Sequence, residues 1–123
     1  LVIEGTICQD TPKTKPHEAI TRLGEGPVLT FMDRTSVADR RILEELRRIA
    51  EKKGIKVQYK EGTAGGNDAG AIHLTRAGVP TATVSVPCRY IHSPVSVASI
   101  SDIEDTLSLV EGFLRSVARG FYP

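Results

Sequence analysis

Apolar residues recur along this chain with two periods, and the switches between them divide it into strands and helices. Residues 1–8 are a β-branched, apolar run that predicts a buried strand. The polar stretch 9–25, broken by Pro12, Pro16 and Gly24, predicts a loop, and residues 26–33 predict a second strand. Ser36 stands three residues ahead of Asp39 in a capping-box-like start. Ile42, Leu43, Leu46, Ile49 and Ala50 then recur at helical spacing until Gly54, which suits a left-handed stop. Residues 55–59 alternate apolar and polar, as in a strand with one covered face.

Asn67 or Asp68 is placed to cap a further helix that ends at Gly78, and residues 81–86 have the composition of a strand buried on both faces. Residues 95–100 predict a short strand. Ser101 with Glu104 has capping-box spacing, and Ile103, Leu107, Val110, Leu114 and Val117 draw one apolar stripe along a last helix that Gly120 stops. The order β, β, α, β, α, β, β, α predicts an α/β layered domain, a mixed β-sheet flanked by about three helices.

Composition narrows the function classes. The 123 residues are one domain's worth, 40% hydrophobic and 25% charged, as in an ordinary soluble domain. A formal charge of +1 argues against a nucleic-acid partner, and Arg40, Arg41, Arg47, Arg48, Lys52 and Lys53 alternate with Glu44, Glu45 and Glu51 as on a solvated helix face. No apolar run approaches the ~18 residues of a membrane span, and the N-terminus lacks signal-peptide regions, so no membrane partner and a cytoplasmic location are expected. Cys8 and Cys88 read as buried free thiols. The chain opens inside a strand-like run without Met, which reads as a piece of something longer.

Several residues could carry chemistry. Glu4 sits in an apolar strand, where a bare carboxylate is costly unless paired or metal-bound, although a solvated strand end would also accommodate it. His92 follows the buried strand, where open α/β sheets place their sites, and is open to a ligand role or a structural one. Together they offer one oxygen and one nitrogen donor, a mixture that suits zinc, cobalt or manganese. The run Gly65-Gly66-Asn67-Asp68 has the glycines of a phosphate loop without its Lys-Ser/Thr, which leaves Asp68 as a helix cap or a pocket residue. Asp10 and Asp33 are candidate cleft carboxylates, though Asp33 equally suits a turn; His73 reads as packed on the sheet or half exposed, and His17 as solvated.

Read in order, Glu4-Gly5-Thr6 with Asp10-Thr11-Pro12, Gly26-Pro27-Val28, Gly65-Gly66-Asn67-Asp68-Ala69-Gly70, Gly78-Val79-Pro80-Thr81 and Arg89-Tyr90-Ile91-His92-Ser93-Pro94 resemble the M42 family of dinuclear metalloaminopeptidases. That family includes glutamyl, deblocking and tetrahedral aminopeptidases, some of them labelled endoglucanases or cellulases. The resemblance implies that Glu4 is a terminal carboxylate ligand of one metal and His92 a ligand of the other, with Asp68, Arg89 and Tyr90 lining the substrate cleft. It implies two divalent ions, zinc or cobalt, and a peptide substrate hydrolysed at its N-terminus. Asn67 stands where Thr is common, and Lys13 where Gly is. The family's other ligands, its bridging aspartate and its general base have no counterpart in these residues. Residues 1–123 are therefore expected to be the C-terminal part of a catalytic domain, inactive alone, whose partners are the missing N-terminal part and, when intact, further copies of itself. A non-catalytic assembly or binding module is the second reading, and a glycoside hydrolase, which needs two placed acids, a distant third.

Overall fold

Strand β4 (Thr83–Arg89) organises the sheet in this structure, a computed structural model that describes residues 1–60 and 62–123. On one side it pairs in parallel with β1 (Val2–Ile7), with Glu4 opposite Ser85. On the other it pairs antiparallel with β2 (Val28–Thr30) along residues 83–85 and with β5 (Val97–Ala98) at Cys88 and Arg89. Pro87, which has no N–H, falls between those two antiparallel stretches, where neither ladder requires a donor. β3 (Gln58–Tyr59) completes the sheet in parallel with β2, giving the order β1-β4-β2-β3. The expected mixed sheet of an α/β layered domain is what forms.

Helices α1 (Arg40–Lys53) and α3 (Ile100–Ala118) cover one face, where Leu29, Ala82 and Val84 meet Leu46, Leu109 and Phe113 in the buried core. The start of α1 is set by Asp39, whose carboxylate accepts from the Arg41 N–H at 2.9 Å, rather than by Ser36, whose N–H and hydroxyl both donate to Asp33. Gly54 ends the helix at φ 68°, donating to Ala50 and Glu51, as the sequence predicts. In α3 the N-cap position is Ser99, so Ser101 and Glu104 lie inside the helix and form no capping box.

The apolar stripe of α3 is where expectation and structure part most. Ile103, Leu107, Leu114 and Val117 are exposed, Leu107 to 70%, and only Val110 of that stripe is buried. The packed face runs through Asp102, Thr106, Leu109, Phe113 and Ser116 instead. Polar groups there are satisfied locally. Asp102 accepts from the N–H groups of Gly24 and Gly26, and Ser116 donates to Glu45. Gly112 lets the helix approach α1 so closely that an added Cβ would lie 2.6 Å from Ile49 Cγ2.

Other elements are shorter than the pattern suggests. The second strand is trimmed to three residues, since Gly26 bends at φ 84° and Asp33 turns into its own loop. Helix α2 (Ala69–Ile72) ends well before Gly78, and the chain between them turns through Arg76 and Gly78, both at positive φ. The side chain that satisfies its first turn is Asn67, accepting from the Ala69 N–H at 2.8 Å, and Asp68 makes no capping bond. His73 is half-buried, its Nδ1 2.8 Å from the Ala69 carbonyl.

Candidate active site

Because side chains alternate along a strand, the residues between the core positions face the other side of the sheet. There Thr30, Thr83 and Ser85 line up in register with Glu4 and Thr6 of β1, and all but Glu4 are buried. Loops rather than helices close over this face. Asn67 accepts from the Thr83 hydroxyl and donates to Asp33, which ties the glycine-rich loop to the turn after β2. A cavity of about 390 Å³ opens along β1, with Glu4, Ile20, Lys60, Gly66, Ile91 and His92 in its walls.

Glu4 and His92, far apart in sequence, thus share one cavity. Glu4 is half-buried, and burial raises its carboxyl above the usual range; the negative charges of Asp33 and Asp68 push the same way, while Lys60 partly offsets them. Asp33 is 6% exposed and behaves oppositely. Burial alone would raise it, but the Thr35 N–H and hydroxyl at 2.7 and 2.9 Å and the Ser36 N–H at 2.9 Å hold the carboxylate in its ionised form.

His92 is presented by a hairpin. The chain leaves β4 at Arg89 and passes through Tyr90 (φ 60°) and His92 (φ 66°), then returns as β5. Left-handed backbone at two residues other than glycine is strained by about 1 kcal/mol or more each and persists only where surroundings enforce it. Ser93 supplies part of that enforcement, its hydroxyl lying 2.6 Å from both the Tyr90 and the Val95 carbonyls. Asp10 adds to it at the hairpin's base. Its carboxylate takes Arg89 Nε at 2.6 Å and Nη2 at 2.9 Å, and also the Leu23 N–H at 3.0 Å. The Arg89 guanidinium holds the Asp10 carboxyl well below the usual carboxylate range, against the effect of burial.

The remaining expected cleft residues lie elsewhere. Asp68 is exposed at the start of α2 and reaches Glu4 only through its charge. Arg89 is engaged by Asp10. Tyr90, 59% exposed, borders a smaller neighbouring cavity with Cys8 and Thr11. Both cysteines are free thiols, and burial, followed by the neighbouring Asp10, pushes the Cys8 thiol up to about 11. Among the described residues no group of three or more His, Cys, Asp or Glu side chains could hold a metal ion.

Lys60 escaped the sequence reading. It continues the polar positions of the alternating 55–59 run and looks like a solvated strand end, yet it is 8% exposed, with Nζ donating to the Ala64 carbonyl at 3.2 Å. Only its place just before the glycine-rich loop marks it out.

The architecture is that of an open α/β sheet with a cleft built on its strand ends and the loops beyond them. A family model described as M42 glutamyl aminopeptidase matches residues 1–109, and the chain belongs to that family. The glutamyl aminopeptidase of Lactococcus lactis subsp. cremoris is 34% identical over 96 residues, which cover 78% of this chain and 27% of that protein. Aminopeptidase APDkam598 from the archaeon Desulfurococcus kamchatkensis superposes with a TM-score of 0.89 at 38% identity, over 93% of this chain and 33% of the other. The TET1 peptidase of Pyrococcus horikoshii, described as assembling into a tetrahedron or a large octahedral shell, superposes at 0.71 with 31% identity, over 89% and 30% of the two chains. The chain spans about a third of the length of the curated relatives it matches. Among the described residues no helix is long and apolar enough to cross a membrane.

Proposed function

We propose that residues 1–123 are the C-terminal part of the catalytic domain of a metal-dependent aminopeptidase, and that Glu4 and His92 each give one ligand to a two-metal centre. The observation that carries this reading is their convergence on one cavity from distant positions in the chain, at the first and fourth strands. A carboxylate and an imidazole suit zinc or cobalt. Glu4 also has the electrostatics of a ligand awaiting its cation, because burial and two neighbouring carboxylates disfavour its bare ionised form. Bound metal would supply Lewis-acid polarisation of the scissile carbonyl and a more acidic water.

The chain's own residues have narrower tasks. Glu4 is held on a strand paired along its length with β4, so its carboxylate has a fixed origin. His92 is held on a strained hairpin clamped by Arg89 and Asp10, and Asp68 adds negative charge at the rim of the cleft. The general base and the remaining ligands come from sequence outside these residues, so this segment alone hydrolyses no peptide. Assembly into a homo-oligomer, as in the Pyrococcus horikoshii relative, belongs to the same proposal.

Competition with a chromophoric chelator tests it. Cobalt or zinc uptake by the purified protein is expected to weaken about tenfold or more in each of Glu4→Ala and His92→Ala. Uptake unchanged in both variants would remove Glu4 and His92 as ligands and leave the assembly-module reading.

A further inference from the structure

We infer that the outer stripe of α3 is a pairing surface for a second copy of this chain, two α3 helices packing antiparallel about a two-fold axis. It locates where copies of the chain meet, and it stands apart from the metal-site reading, because α3 covers the face of the sheet opposite Glu4. Ile100, Ile103, Leu107, Val110, Leu114 and Val117 follow one another at steps of 3, 4, 3, 4 and 3. That is the spacing of a coiled-coil seam, which seats a facing helix. Every member but Val110 is exposed, Leu114 to 60%. The stripe also points away from the helix already in place. α1 runs along the other side of α3, where Lys53 Nζ donates to the Ser108 carbonyl at 2.9 Å and Ser116 donates to Glu45. α3 packs on β4, so its free side overhangs β1, whose Ile3 stands in register with the core residue Val84 yet is 55% exposed. β1 is the edge of the sheet, with no strand on its outer side among the described residues. A helix laid in this corner covers wall and floor together.

The seam itself names the occupant. Its spacing reads the same from either end, so a two-fold axis between Leu107 and Val110 sets Ile100 against Val117, Ile103 against Leu114 and Leu107 against Val110 of the second copy. The charges beside the seam are complementary in that arrangement. Glu104, which makes no ion pair among the described residues, comes opposite Arg115 of the second copy, whose partner in its own chain is Glu111. The other long helix, α1, offers no such seam, since its apolar positions Ile42, Leu46 and Ile49 are buried.

Sedimentation equilibrium of the purified protein tests the pairing. Wild type at micromolar concentration is expected to show twice the 13.3 kDa mass of the chain. Leu107→Glu and Leu114→Glu sit at exposed positions, so the monomer keeps its fold, which circular dichroism checks. Each should weaken the dimer about a hundredfold or more, because it brings an uncompensated carboxylate from both copies into the seam. Glu104→Arg should weaken it about threefold, and Glu104→Arg combined with Arg115→Glu should restore it. A monomeric wild type overturns the pairing and leaves the corner to the part of a longer protein outside these residues. A dimer or larger oligomer that neither Leu107→Glu nor Leu114→Glu weakens overturns it as well. A dimer that both variants dissolve but the charge exchange does not restore overturns the antiparallel arrangement.

Discussion

On one face of the sheet Leu29, Ala82 and Val84 lie under α1 and α3; on the other, one residue along the same strands, Thr30, Thr83 and Ser85 lie under loops. Both sets are buried, so burial does not separate them. What separates them is the cover. Helices bring side chains that fill space, and the core closes on itself. The loops bring backbone and small residues, and along β1 they leave a cavity that Glu4 and Lys60 line. One face closes into a packed core, the other carries a cavity at its β1 edge, and a strand of alternating Thr, Val, Ser and Val serves both.

Substitutions on the two faces should therefore differ most in stability. Leu46→Ala, at a fully buried core position, is expected to destabilise by about 2–5 kcal/mol through lost burial and the cavity left behind. Thr30→Val deletes a buried hydroxyl that has no hydrogen-bond partner among the described residues, with almost no change of shape, and should fall within about 1 kcal/mol of wild type on the stabilising side. Urea denaturation of both variants checks the contrast. A large loss from Thr30→Val would mean that the hydroxyl face is as tightly organised as the core. Gly112→Ala lies between, at about 1–3 kcal/mol, because its methyl must displace Ile49.

The Asp10–Arg89 pair gives the cavity-bearing face its own pH signature. Asp10 titrates from an ordinary value of 3.8 when unfolded to a lower one when folded, so its contribution is complete above about pH 4 and is lost as pH falls toward the folded value. The urea midpoint of wild type should fall more steeply between pH 4 and 2 than that of Asp10→Asn. Amide exchange adds a local readout. In Asp10→Asn the amides of residues 90–96 should exchange faster while those of α1 stay protected, since the pair clamps the His92 hairpin and not the core.

Periodicity made the helix-covered face legible, because Ile42, Leu46 and Ile49 obey a spacing that only a packed helix explains. The strand before His92 and the stop at Gly54 were legible for similar reasons, each being a local signal with a local cause. On the opposite face the candidates Glu4 and His92 were legible one by one, but that they belong together was implied only by the resemblance. Nothing in the spacing of Glu4 and His92 says that they meet, since the meeting depends on the parallel pairing of β1 with β4. Lys60 was hidden because its burial comes from loops folding over a strand end, an event no strand pattern records. Asp10 was visible as a carboxylate but not as the partner of Arg89, which is a contact between the loop after β1 and the end of β4.

The outer stripe of α3 makes the gentlest test and the most specific one for reading faces from sequence. Ile103, Leu107 and Leu114 are the most regular apolar positions of the helix and yet are exposed, while Leu109, one helical step off the stripe, is fully buried. If burial governs, Leu109→Ala costs about 2–5 kcal/mol and Leu107→Ser stays within about 0.5 kcal/mol of wild type. Thermal denaturation at low protein concentration measures both, away from any association the exposed side chains could promote. Comparable losses would mean that the stripe is packed in solution and that α3 meets the sheet through both faces. A silent Leu107→Ser would mean that the regular apolar spacing of this helix is not what folds it.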